Sequence, residues 1–255
     1  MMKEKKCSRR LIAYEFRNMN GMYYIHFFGI LFPVFLSVIL ANTITGELTG
    51  ELKREVVTSI VLTMSLIMPM SIMLLGYGAA YAQEVEKDIP LRMRLFGYKE
   101  SALVMAKVIA YLIFLTISFI IFGVAEMLLL DIQIPAFSSL VILIICLYLC
   151  GIIFLLFAHA IGNIFRKFGT AYALNMGVYF GIMVLGGMMG PRTNQLPKWM
   201  QVVARTLPMS YISNDFVDFW QGAPYNFMPL IQSFIFMGGA VLILLLYSDS
   251  RGKRK

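Results

Sequence analysis

The chain has 255 residues, 59% of them hydrophobic and only 14% charged, with a mean hydropathy of +0.76. A soluble domain of this length needs more surface charge, so the composition excludes a water-soluble globular protein and points to an all-helical protein of the bilayer. The net charge of +8 is then read as Lys and Arg facing the cytoplasm and anionic lipid, with no nucleic-acid partner implied.

The first segment, residues 1–21, is basic and holds one amphipathic stretch. Between Arg9 and Asn20 the residues Ile12, Phe16 and Met19 fall on one helical face with charge around them, which predicts a helix lying in the membrane interface. The apolar run that follows lacks a small-x-small cleavage pattern at its end, so it reads as a retained span and not as a removable signal peptide.

Six spans are predicted, at about residues 22–41, 56–82, 103–130, 136–162, 171–190 and 227–247. Each reaches the ~20 residues that ~30 Å of hydrocarbon requires. Pro33 and Pro69 are the expected bend points. Residues 22–247 thus form one bundle, and residues 248–255 a basic tail, within a single transmembrane domain covering 1–255. Of the 22 Lys and Arg residues, seventeen lie in the N-terminal segment, the loops after spans two and four (with Lys107 just inside span three) and the tail. The five on the opposite side are Lys53, Arg54, Arg192, Lys198 and Arg205. That imbalance predicts a multi-pass plasma-membrane protein with both termini in the cytoplasm.

The loop after span two carries more information than a connector needs. Pro90 sits where a short helix starts and Gly97 where it stops. Between them Leu91 and Leu95 are four apart, Met93 and Phe96 three apart, and Arg92 and Arg94 are interleaved. A short helix that shows both apolar and basic residues to the cytoplasm is a surface for another protein to grip. Acidic Glu84 and Glu86 precede it.

Span three ends near Glu126 and Asp131, which are expected to reach water at the boundary. Cys146 and Cys150, one turn apart in span four, read as small polarisable core residues, and with Cys7 they offer no metal-site spacing. Span five contains Gly177 and Gly181, and Gly186 and Gly190 repeat the spacing, a small-x-x-x-small pattern that suits close helix packing. Before span six, a segment from Leu196 to Gly222 holds both tryptophans, Trp199 and Trp220. It predicts a helical hairpin dipping into the outer leaflet.

Catalytic signatures are sparse. The chain has no G-x-x-x-x-G-K-[ST] phosphate loop, no H-E-x-x-H and no G-x-S-x-G. His159 and Asn163 have the H-x-x-x-N spacing of some intramembrane proteases, but Glu84 and Glu86 are split by Val85 and the other histidine, His26, is far away in span one. A hydrogen-bonded polar group within the bundle is the expected role of His159. An ATP-independent carrier is a further alternative.

The order of these features resembles the transmembrane permease subunits of ABC-2 type transporters, in their exporter-like bacterial branch. The resemblance covers nearly the whole chain. It makes Arg9 to Asn20 the elbow helix, and Glu84 and Glu86 with Lys107 the acidic and basic brackets of the loop after span two. Pro90 to Gly97 becomes the coupling helix that enters an ATPase. Pro197-Lys-Trp199 and Pro208-Met-Ser-Tyr211 match the start and middle of an extracellular re-entrant element that Gln221-Gly222 closes. Asp88-Ile-Pro90-Leu91 departs from the Gly-Thr usual after the acidic residues. The resemblance implies a non-catalytic half-transporter. Two cytoplasmic ABC ATPase subunits would hold ATP and Mg²⁺, and a second permease half, identical or homologous, would complete the pore. The cargo expected from Met-rich and Phe-rich spans is an amphipathic peptide or toxin, or a lipophilic drug, and the direction is export.

Overall fold

In hydrocarbon an unpaired backbone group has no water to turn to, so each long apolar run satisfies its own amides as a helix. The computed structural model describes residues 6–189 and 193–252, and among them the regular structure is all helical. Six helices are long and apolar enough to cross a membrane. Span one is Tyr23–Ile44, span two Gly50–Glu86, span three Glu100–Leu129, span four Phe137–Phe165 and span five Phe168–Leu185. Span six lies in the last helix, Met228–Gly252. A helix at Arg9–Asn20 precedes them, another at Ile89–Leu95 joins spans two and three, and two at Lys198–Ala204 and Pro208–Trp220 form a hairpin before span six.

Span two is the centre of the bundle. It is apolar on all sides from Leu66 to Leu75, and a helix of that kind must be enclosed. Spans one, four and five pack around it, span three closes against span one, and span six lies on span four. Its 37 residues make it roughly 55 Å long at the usual rise, far more than the hydrocarbon needs. The charged first turns, Glu51 to Glu55, therefore continue the helix beyond the apolar run. Span five is shorter than its sequence suggests. It stops at Leu185 because Gly187 takes φ +72°, and the Met188 N–H bonds back to the Met183 carbonyl at 2.9 Å. Gly190 lies outside the described residues.

Both predicted bend points carry wide, i→i+5 turns. In span one these cover Phe27–Leu31, just ahead of Pro33, and in span two Met70–Tyr77, just after Pro69. A proline supplies no N–H and its ring crowds the carbonyl four residues back. At Pro33 an extra residue in the preceding turn makes room, whereas ahead of Pro69 the α-helix is interrupted at Leu66 and the wide stretch follows the proline. The two wide stretches touch: a Cβ on Gly29 would stand 2.6 Å from the Ile72 side chain.

One boundary residue is not where its sequence position suggests. Glu126 is not in water; it is fully buried against span one, with its Oε1 on the Ser37 hydroxyl and its Oε2 unpartnered. It shares an inward face with Ser118 and Phe122 at four-residue spacing, and that face turns towards span one whatever the depth. Asp131, beyond the helix end, is exposed and pairs with Arg54 at 2.8 Å, which holds its carboxyl below the usual range.

Candidate functional site

At one end of the bundle, three helices meet on one ammonium. Lys107, in the second turn of span three, donates to Glu15 Oε2 at 2.7 Å and to Glu84 Oε1 at 2.6 Å. All three side chains are largely buried. Two carboxylates share one cation, and burial pushes the Glu15 carboxyl above the ordinary range, with Glu84 adding to the rise and Lys107 opposing it. Glu15 was not legible as a partner from the amphipathic reading, which chose Ile12, Phe16 and Met19. The inward stripe of that helix is Leu11, Glu15 and Met19, with Ile12 and Phe16 at its flanks. A carboxylate midway along a four-residue apolar spacing was the available signal.

Two residues further along span two, Glu86 accepts the Phe168 N–H at 3.1 Å and so caps the start of span five. Asp88 then turns the chain through a left-handed conformation, φ 53°, and faces Arg166, itself at φ 52°, across 3.9 Å. From this fixed root the helix Ile89–Leu95 projects, with Pro90 in its first turn. Gly97, at φ +87°, ends it, and Tyr98 N–H returns to the Met93 carbonyl at 3.1 Å. None of its residues is buried. Leu91 is 50% exposed, Leu95 75% and Phe96 65%, which is far more apolar surface than a connector of this length should show to water. Arg92 and Arg94 are also exposed, and Arg94 reaches Glu100 at 3.4 Å. Met93 is placed differently from its neighbours: it turns inward onto Leu11, Leu103 and Ala106.

Higher in the bundle, spans one, two and five line a half-open cavity of about 770 Å³. Phe28, Phe32 and Leu36 form the span-one wall, and Met176, Tyr179 and Met183 the span-five wall. Ser59, Thr63 and Ser71 come from span two, and Gln195, Ser213 and Asn214 roof the end nearest the hairpin. Among the described residues, none lining it is Asp, Glu, Lys, Arg or His.

The sequence model of the ABC-2 type transporter matches residues 8–219, from the helix before span one to the end of the hairpin. The chain belongs to the ABC-2 type transporter family. It is a multi-pass membrane protein and the permease subunit of an ABC transporter. Comparison with curated proteins gives no match.

The hairpin of this ABC-2 permease is built from the residues its sequence marked. Pro197 precedes the first helix and Pro208 opens the second, and Tyr211 hydroxyl donates to the Arg205 carbonyl at 3.0 Å across the bend. The tryptophans divide. Trp199 is exposed, whereas Trp220 is buried in the bundle and donates its indole N–H to the Gln133 carbonyl at 2.9 Å. Among the described residues, a Cβ on Gly177 or Gly181 would meet nothing within 4 Å. Gly181 instead edges a second, almost wholly apolar groove of about 430 Å³ between spans four, five and six. Gly186 is packed, against Met188 and Met209.

The groups an enzymatic reading needs are each tied to a different partner. His159 Nδ1 lies 2.7 Å from the Tyr77 hydroxyl, Asn163 Oδ1 accepts from Tyr81 at 2.6 Å, and Glu84 is taken by Lys107. Tyr81 stacks on His159 with ring centres 4.3 Å apart, so no free imidazole faces a cleft. Beside this cluster sits a residue the sequence gave no reason to choose. Asn175 of span five is fully buried where spans two and four meet it, with both amide atoms unpartnered and Gly78 leaving the room it occupies.

Proposed function

We propose that this chain is one half of an ATP-driven exporter, working with a second permease half, identical or homologous, and with two copies of a separate ATPase that hold ATP and Mg²⁺. Both termini and the helix Ile89–Leu95 face the cytoplasm, in keeping with the basic residues gathered there. The observation that carries the reading is the pairing of an exposed apolar tip with a rigid root. Leu91, Leu95 and Phe96 stand free in water, while Glu84 and Glu86, directly before them on span two, are bonded to span three and to the first turn of span five.

An ATPase that grips this tip moves a body that cannot shift without its neighbours. Glu84 passes the displacement through Lys107 to span three and through Glu15 to the elbow helix. Glu86 passes it to span five, and span two itself forms a wall of the cavity. Rocking of one half against the other then opens the cavity to the outside, and an amphipathic or hydrophobic cargo leaves through it.

Purification of the tagged chain from its native membrane in mild detergent tests the reading. An ATP-hydrolysing subunit should accompany it and be lost with Leu95→Asp, which buries an unpaired charge in the contact at a cost of about 3–5 kcal/mol. The variant chain itself should stay inserted and stable, because Leu95 is already in water. A chain that purifies alone, or a Leu95→Asp chain that still retains the ATPase, defeats the proposal.

A further inference from the structure

If the cavity between spans one, two and five is the path of the cargo, its walls state what can occupy it; the inference rests on that reading of the chain. We infer that the cargo is uncharged where it lies in the cavity, lipophilic along its length, and ends towards the hairpin in a hydroxyl or N–H donor.

The absence of charge comes first. With no Asp, Glu, Lys, Arg or His among the described lining residues, an ion lying deep between the three spans gives up much of its water and meets no counter-charge from those residues. Aromatic faces could in principle replace water around a cation. Here they are turned on one another instead. Phe28 packs on Phe32 and meets Phe27 edge to face, and Tyr179 meets Phe180 edge to face. Between them Met176 and Met183 supply pliable thioethers, a lining tolerant of shape and selective only for apolar character.

The polar groups then fix the orientation. Midway along, Ser71 and Tyr179 share one hydrogen bond at 3.2 Å. At the hairpin end the side-chain hydrogens of Thr63, Ser213 and Asn214 are already committed. Thr63 Oγ1 donates to the Ser59 carbonyl at 2.8 Å and Ser213 Oγ to the Gly186 carbonyl. The Asn214 amide donates to the Ser210 carbonyl at 2.6 Å and to Thr193 Oγ1 at 2.9 Å. What these three retain is acceptor capacity, on Thr63 Oγ1 and Asn214 Oδ1, beside the hydroxyl of Ser59. A cargo hydroxyl or N–H answers those acceptors, which an ether or ester cannot do.

The test uses the full chain alone in lipid nanodiscs with four mid-chain diazirine probes: dodecanol, its methyl ether, dodecyltrimethylammonium and dodecyl sulfonate. Photolabelled peptides are mapped by mass spectrometry. Dodecanol should label Met176, Tyr179 or Met183 at least about tenfold more than either permanently charged probe, and several-fold more than the methyl ether. Thr63→Asp, which places a carboxylate in the roof, should turn the preference towards the ammonium probe. Met176→Trp, which narrows the cavity with an apolar ring, should reduce the dodecanol label at that wall while the chain stays monodisperse. Equal cavity labelling by charged and neutral probes overturns the inference. So does labelling confined to the apolar groove between spans four, five and six, or no cavity label from any probe. No ATPase is present in this experiment, so its outcome is independent of whether an ATPase co-purifies.

Discussion

Lys107→Met removes the only cation from a buried group of three. Glu15 Oε2 and Glu84 Oε1 lie 2.7 and 2.6 Å from its ammonium, and the side chains retain only 9%, 6% and 13% of their exposure for Lys107, Glu15 and Glu84. At such burial, deleting one partner costs about 3–5 kcal/mol, because the charges left behind have neither water nor a counter-ion. For a chain of this length each kcal/mol moves the melting temperature by roughly 2–4 °C, so the variant should melt on the order of 10 °C lower. Glu15→Gln is the informative contrast. It leaves one carboxylate for one ammonium and an amide oxygen in the old position, and should cost no more than about 1 kcal/mol. The triple variant Lys107→Met, Glu15→Gln, Glu84→Gln removes every charge at once, and should recover most of the loss, since neutral replacement of a buried cluster is often close to neutral in stability. Intrinsic tryptophan fluorescence during heating in detergent, with size-exclusion profiles, reads all of these. A Lys107→Met chain that melts with the parent would refute the buried cluster and the rigid root built on it.

Gly78→Ala should lower the melting temperature, because the new methyl group meets the Asn175 amide. Asn175→Ala should be neutral or stabilising, since an orphaned buried amide costs about 1–3 kcal/mol, and the double variant should rescue Gly78→Ala; additive losses would contradict this packing. Burial lifts the Glu15 carboxyl, so the folded chain keeps a proton that the unfolded chain releases. That stabilisation is complete below the unfolded value of about 4.3 and is withdrawn as the pH rises through the folded one. Melting curves across this window should therefore decline less steeply for Glu15→Gln than for the parent. Trp220→Phe leaves the Gln133 carbonyl without its donor and should cost about 1 kcal/mol, with faster proteolysis of the loop between spans three and four as the check.

The spans were legible because hydropathy records the cost of placing a backbone in lipid, and that cost dominates everything else in such a chain. Its blind spots are equally physical. Hydropathy ended span two at the last apolar residue, while the helix runs on through Glu51 and Glu84 because a helix in water needs no apolar side chains. It placed Glu126 at a boundary by depth, although the helical face and not the depth decides whether a side chain meets water. The stop at Gly97 was readable, since only the left-handed conformation closes that turn. The partner of Lys107 on the helix Arg9–Asn20 was not, because contacts between residues 92 positions apart leave no local trace. The cavity was also hidden. Its wall residues Met176, Tyr179 and Met183 have the same spacing as an ordinary packed face, and only the position of span one leaves them uncovered.

The wide turns of spans one and two lie side by side near Gly29 and Ile72. A wide turn is an inserted residue, the helical counterpart of a dislocation in a crystal, and it can glide along the chain by breaking and remaking one hydrogen bond at a time. Where it passes, the helix beyond is rotated by about 100° and displaced by about 1.5 Å, while its ends stay anchored. Two such defects in contact mean that the two spans lining the cavity could exchange the residues they present to it without either helix being unwound.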